Sequence, residues 1–235
     1  MVFALFVLGD FSVAFGQAYE GKPCTTKGNP ALAKLEVGQD LGSLDQSLTG
    51  AFSAWATSTL AASGKMPAAT PAPGEDDELN EAAWRRDEWS CMYAADKAFD
   101  GKVETAWCEG VKGTGAGEVV LVKVDVSRSI SIWTGLGKSP ALFAANARPR
   151  KVALWVLAAE KALAHQYGTG FSGIRVLARG EAELADQNGF QELALPKFEL
   201  PEGTAATFLA IQILSVYPGK RYPDCCISEV VNPEG

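Results

Sequence analysis

The sequence predicts an all-β sandwich over residues 88–235, from three observations. Strand-length runs rich in β-branched residues recur at 119–126, 129–133, 151–156, 174–177, 191–195 and 207–214. Gly, Pro, Asn and Asp punctuate the gaps between them. Helical patterns do not alternate with the strands, which selects antiparallel sheets over a parallel α/β arrangement.

Each element follows from its own pattern. Val122, Val124 and Val126 alternate with Lys123 and Asp125, the period of a half-buried strand. The glycine-rich 113–117 piece opens that strand, so no helix N-terminus is available there to hold a phosphate. Residues 158–165 read as a helix or as a loop between strands. The run 208–216 enters a turn dense in Tyr, Lys, Arg and Pro, and a short strand at 227–231 leaves it. Two strands holding up a loop of rings, cations and one carboxylate present a recognition surface.

Upstream the texture differs. Residues 1–18 resemble a secretory signal segment, although no Lys or Arg precedes the apolar run 2–8 and Asp10 interrupts it. That run is too short to span a membrane. Residues 19–87 read as an Ala-, Pro- and acid-rich tether, with a single amphipathic helix as one reading of 41–60. The expected location is therefore secreted or in the cell envelope.

The formal charge of −7 argues against a nucleic-acid partner, which needs clustered cations. Local clusters at Arg148, Arg150 and Lys151, and at Lys220 and Arg221, leave room for a small acidic ligand. The chain holds five cysteines. Bridges joining the two ends of the β-rich part would each contribute roughly 4–5 kcal/mol in a chain-entropy account; buried free thiols are the alternative. Hydrolase, zinc-protease and phosphate-loop motifs are missing from the sequence, and His165 has no Ser or Cys neighbour. Glu109 and Glu118 remain a carboxylate pair of unknown separation.

Three ordered segments carry a resemblance. Asp100-Gly-Lys-Val-Glu-Thr-Ala-Trp-Cys-Glu-Gly110, Asn146-Ala-Arg-Pro-Arg-Lys-Val152 and Tyr217-Pro-Gly-Lys-Arg-Tyr-Pro-Asp-Cys-Cys-Ile-Ser-Glu-Val230 resemble the discoidin-like (coagulation factor 5/8 type C) domains. They are most similar to the branch named for the glycan-binding translocation domain of an NAD-glycohydrolase toxin. The resemblance implies a galactose-binding-like jelly-roll sandwich, carbohydrate binding at the loops of one end, and no catalysis. The wider group also binds lipid head groups and proteins, so an envelope protein partner using the same loops is the rival reading.

On that resemblance the ligand-binding candidates are Glu109, Lys138, Asn146, Arg148, Tyr217, Lys220, Tyr222 and Asp224. Rings stack on sugar faces while planar polar groups bond the hydroxyls. For Arg148 the structural alternative is a pair with Asp224 or Glu109, and for Lys138 a solvated surface lysine. No cofactor is required. A structural calcium on Asp100, Thr105 and Glu229 is implied in the wider group; an Asx-turn closed by Thr105 serves equally well here, because Lys102 puts a cation beside the ion. Cys226 matches the family's Cys, and one pairing that uses four thiols joins Cys108 to Cys226 and Cys91 to Cys225, leaving Cys24 in the tether.

Overall fold

The computed structural model describes residues 22–46, 49–68 and 79–234. Among them, nine antiparallel strands form two sheets. In chain order these are β1 (Ser43–Gln46), β2 (Trp107–Cys108), β3 (Val119–Lys123), β4 (Ser131–Thr134), β5 (Arg148–His165), β6 (Gly168–Glu183), β7 (Phe190–Glu192), β8 (Ala206–Tyr217) and β9 (Cys226–Val231). The larger sheet runs β1-β6-β5-β8-β3 and the smaller β2-β9-β4-β7. Trp107, Leu121, Ile132, Leu154, Ile211 and Ile227 lie fully buried in the core between them. The fold is the all-β sandwich that the alternating patterns predict.

The upstream segment departs from the expected tether. Trp55 is completely buried, stacked on Phe99 at 5.6 Å and edge-on to Phe171 and Phe208. Burying a side chain of that size is worth about 3 kcal/mol, more than a solvated linker contributes. Ala56 bridges to Val120, and Thr57 N–H donates to the Val119 carbonyl at 2.9 Å. These contacts cover the outer edge of β3, which would otherwise expose unpaired backbone. Within 41–60 the described residues form β1 and a 3-10 turn (Thr49–Trp55) instead of one amphipathic helix. A helix, α1 (Leu79–Ser90), crosses the boundary placed at residue 87. The signal-like segment 1–18 lies outside the described residues, as do the acidic run and most of the Pro-rich piece.

The stretch 158–165, read as helix or loop, is the second half of β5. Each of its paired residues has a ladder partner on β6, from Ala158↔Arg175 to His165↔Gly168. Non-local pairing overrides the helix preference of Ala, Glu, Lys and Leu. The described residues contain no helix long and apolar enough to cross a membrane.

Candidate functional site

Strand register gathers the candidate residues at one pole. Thr134, at the end of β4, pairs with Ile227 near the start of β9, and Arg148, at the start of β5, pairs with Tyr217, at the end of β8. The 109–118 loop enters β3 at the same end, so the 109–118, 135–147 and 218–225 loops share a rim. A short helix, α2 (Pro140–Ala145), sits between them, N-capped by Ser139, whose hydroxyl accepts from Leu142 N–H at 3.2 Å. The 219–222 loop straps over its C-terminal end. Lys220 N–H donates to the Ala144 carbonyl at 3.0 Å, and the Arg221 and Tyr222 amides to that of Ala145 at 3.0 and 2.8 Å.

Half of the nominated residues form the framework of this rim. Arg148 is buried and clamps Asp186 in a fork, Nε to Oδ1 at 2.8 Å and Nη2 to Oδ2 at 2.7 Å. Its Nη1 donates to the carbonyls of Asn146 and Pro218, at 3.0 and 3.2 Å, and the guanidinium lies 4.9 Å from the Phe143 ring centre. The partner is therefore Asp186, not Asp224 or Glu109, because the segment between β6 and β7 returns to this pole. Gly135, at φ +75°, leaves the space that Arg148 and Phe143 fill; a Cβ there would stand 2.6 Å from Arg148 Cγ. Asn146 is buried and returns its side-chain amide to the Leu142 carbonyl at 2.9 Å, closing the end of α2. Tyr217 donates its hydroxyl to the Leu184 carbonyl at 2.9 Å.

Glu109 is fully buried and knits two loops. Its Oε1 accepts from Cys225 N–H at 3.0 Å and its Oε2 from Val111 N–H at 2.9 Å. Burial pushes its carboxyl up, and the two amides pull it back. Glu118 is held elsewhere, accepting from the hydroxyls of Thr57 and Ser58, so the two carboxylates serve separate bracing networks.

The other nominees face outward. Lys138 and Lys220 are exposed, Tyr222 retains 38% of its surface, and Asp224 is half-buried. Arg221 lies over the Tyr222 ring, 5.0 Å from its centre. Arg221 and Lys112, both exposed, were not among the nominated residues. The signal for Arg221 was its place directly before an exposed tyrosine; Lys112 had none, since only the Glu109 tie brings its loop beside Cys225.

Asp100, Thr105 and Glu229 do come together. Thr105 donates its hydroxyl to Asp100, at 2.9 Å from Oδ1, and Lys102 N–H donates to the same oxygen at 3.1 Å. Gly101 and Lys102 turn their amides onto Glu229 Oε2 at 2.9 and 3.0 Å. Thr105 also donates to the Lys102 carbonyl at 3.0 Å, so the loop closes as the expected Asx-turn while gathering the oxygens of Asp100, Thr105 and Lys102, the donor types that would hold a calcium ion were one bound. Burial pushes the Glu229 carboxyl up to about 7, with Asp100 adding to the rise.

The cysteines correct one expected bridge. Cys108 and Cys226 are directly opposed on β2 and β9 and are joined, as expected. Cys91 bonds Cys24, not Cys225. Cys225 points the other way from its neighbour, into the main core, where it stays a free thiol that burial pushes well above its usual range.

A cleft of about 1070 Å³ lies at the opposite pole between β1, the tip of the β5–β6 arm and the 22–29 and 50–54 segments. His165 lies there, 3.3 Å from Asp45, with both side chains substantially exposed. No candidate of the rim lines it.

The model of the NAD glycohydrolase translocation F5/8 type C domain family matches residues 77–232. No curated protein matches the chain. Among solved structures, the arabinofuranosyltransferase AftD from Mycobacteria is similar over 59% of this chain and 9% of its own, at 11% identity and a TM-score of 0.33. Nothing is built on so slight a likeness.

Proposed function

The chain belongs to the NAD glycohydrolase translocation F5/8 type C domain family, and from that premise we propose that it is a non-catalytic carbohydrate-binding module of a secreted or cell-envelope protein. The observation that carries this reading is the 219–222 crest: a half-exposed ring, Tyr222, beside Lys220 and Arg221, held over α2 by three backbone hydrogen bonds. A ring fixed at a rim offers a flat apolar face to the C–H side of a sugar, and neighbouring donors reach its hydroxyls. Beneath it, Arg148 and Glu109 are fully engaged in holding the loops, so the crest has little to reorganise on binding. Lys138 lies just before the other end of α2, a helix whose six residues rise about 9 Å, a length comparable to a short oligosaccharide.

The two disulfides fit an oxidising compartment and hence the secreted or envelope location. The test is a glycan-array screen of the full chain beside Tyr222→Ala. Binding of one glycan class that falls at least about tenfold in the variant supports the reading. Loss of all glycan binding in favour of a stoichiometric protein from an envelope extract would replace it with an assembly role.

A further inference from the structure

We infer that the rim takes an acidic glycan, one bearing carboxylate or sulfate groups; this rests on the carbohydrate-binding reading and names its ligand class. The chain carries a net charge of −7, yet four exposed cations stand on the loops of the rim. Lys112, Lys138, Lys220 and Arg221 are all exposed, and none pairs with a carboxylate among the described residues. Other exposed cations are paired, Arg150 with Glu183, Lys151 and Arg179 with Glu181, and Arg175 with Glu160, while Lys34, Lys161 and Lys197 stand singly on separate segments.

The rim has carboxylates, but the fold keeps them occupied. Glu109 is enclosed by two amides, Glu118 by two hydroxyls, and Asp186 lies in the Arg148 fork. Asp224 is left partly open, set back beside Glu109 and Cys225, and the exposed Glu104 lies on the loop that packs against Gly137. The hydrogen-bond ties bring the loops that carry the cations to one rim. Glu109 joins the loop carrying Lys112 to Cys225, and the strap carrying Lys220 and Arg221 lies on the helix that follows Lys138.

Unpaired cations on a pole of an otherwise negative molecule attract a polyanion over roughly a Debye length, about 10 Å at 0.1 M salt. A glycan suits the site better than a lipid surface. Among the described residues the crest exposes two large apolar side chains, Val111 and Tyr222, which gives little to insert among acyl chains. A nucleic acid would be repelled by the rest of the surface.

The experiment exposes the full chain to neutral, sialylated, uronate-rich and sulfated glycans, and separately to phosphatidylserine vesicles. Acidic glycans should bind. Their binding should weaken about three- to fivefold for each of Lys138→Gln, Lys220→Gln and Arg221→Gln, and fall further as salt rises, while Lys161→Gln on the distant arm leaves it unchanged. Equal binding of neutral glycans, indifferent to these changes, overturns the acidic class but leaves carbohydrate binding standing. Binding to vesicles alone overturns both. No glycan binding at all removes the underlying reading and this one with it. Each variant changes an exposed side chain, so an unaltered melting curve separates lost contact from lost fold.

Discussion

The rim has two layers built from the same residue types with opposite uses. In the lower layer Arg148, Glu109, Asn146 and Tyr217 have their polar groups matched within the protein. In the upper layer Lys112, Lys138, Lys220 and Arg221 have no carboxylate partner among the described residues, and Tyr222 is half-exposed. An arginine or glutamate in a loop motif thus says little about ligand contact until its burial is known. Here the buried charges tie the loops, and the exposed ones have no carboxylate partner among the described residues.

The largest way to break the comparison is to unfasten the lower layer from the sheet. The Cys108–Cys226 bridge closes a separation of 118 residues and joins β2 to the strand leaving the crest. Replacing both cysteines by Ser should cost about 4–5 kcal/mol of unfolding free energy in the chain-entropy account, read as a lower urea midpoint. Ligand binding by the molecules that remain folded should persist. A loss much below that range would mean that β9 is held mainly by its core contacts.

Removing the clamp ranks next. Arg148→Ala strands Asp186, leaves two carbonyls without their donor and uncovers Phe143. Asp186 is partly exposed, so water recovers part of the loss and the expected cost is about 3 kcal/mol. By contrast, Lys138→Ala or Lys220→Ala should move stability by no more than about 0.5 kcal/mol. Urea titration of the three variants sharpens the division: near-equal losses would abolish the distinction between the layers.

Much of the sandwich was legible because its signal is local. Val119 to Lys123, Ile132 and the alternation through β8 each announce a strand without knowledge of the partner. The crest was legible for the same reason, as Tyr222 and its cations sit in one turn. What stayed hidden depends on distant partners. Trp55 reads as one aromatic in an Ala- and Ser-rich stretch until Phe99 and Phe208 surround it. Asp186 has no motif of its own, and only the return of its segment to the rim makes it the partner of Arg148. Cys24 and Cys225 exchanged their expected roles because α1 carries Cys91 to the N-terminal segment, a placement invisible in spacing alone.

Glu229 gives the finest test, since it lies beneath the loops yet titrates near neutrality. It is 3% exposed, and its carboxyl stands at about 7 against an ordinary value of 4.5. Raised by burial, this pKa makes the folded state hold more protons than the unfolded state between those two values. Stability contributed by the protonated form is therefore lost as pH rises through the folded value, and it stays lost above it. Between about pH 6 and pH 8 the change should be about 1 kcal/mol, with the more stable protein at the lower pH. Glu229→Gln keeps an oxygen for the Gly101 and Lys102 amides but cannot titrate, so its stability should lack that slope over the same interval. Chemical unfolding of both proteins at the two pH values decides the point. An unchanged slope in the variant would assign the pH dependence to other groups, with Glu109, whose carboxyl burial also raises, the next to replace.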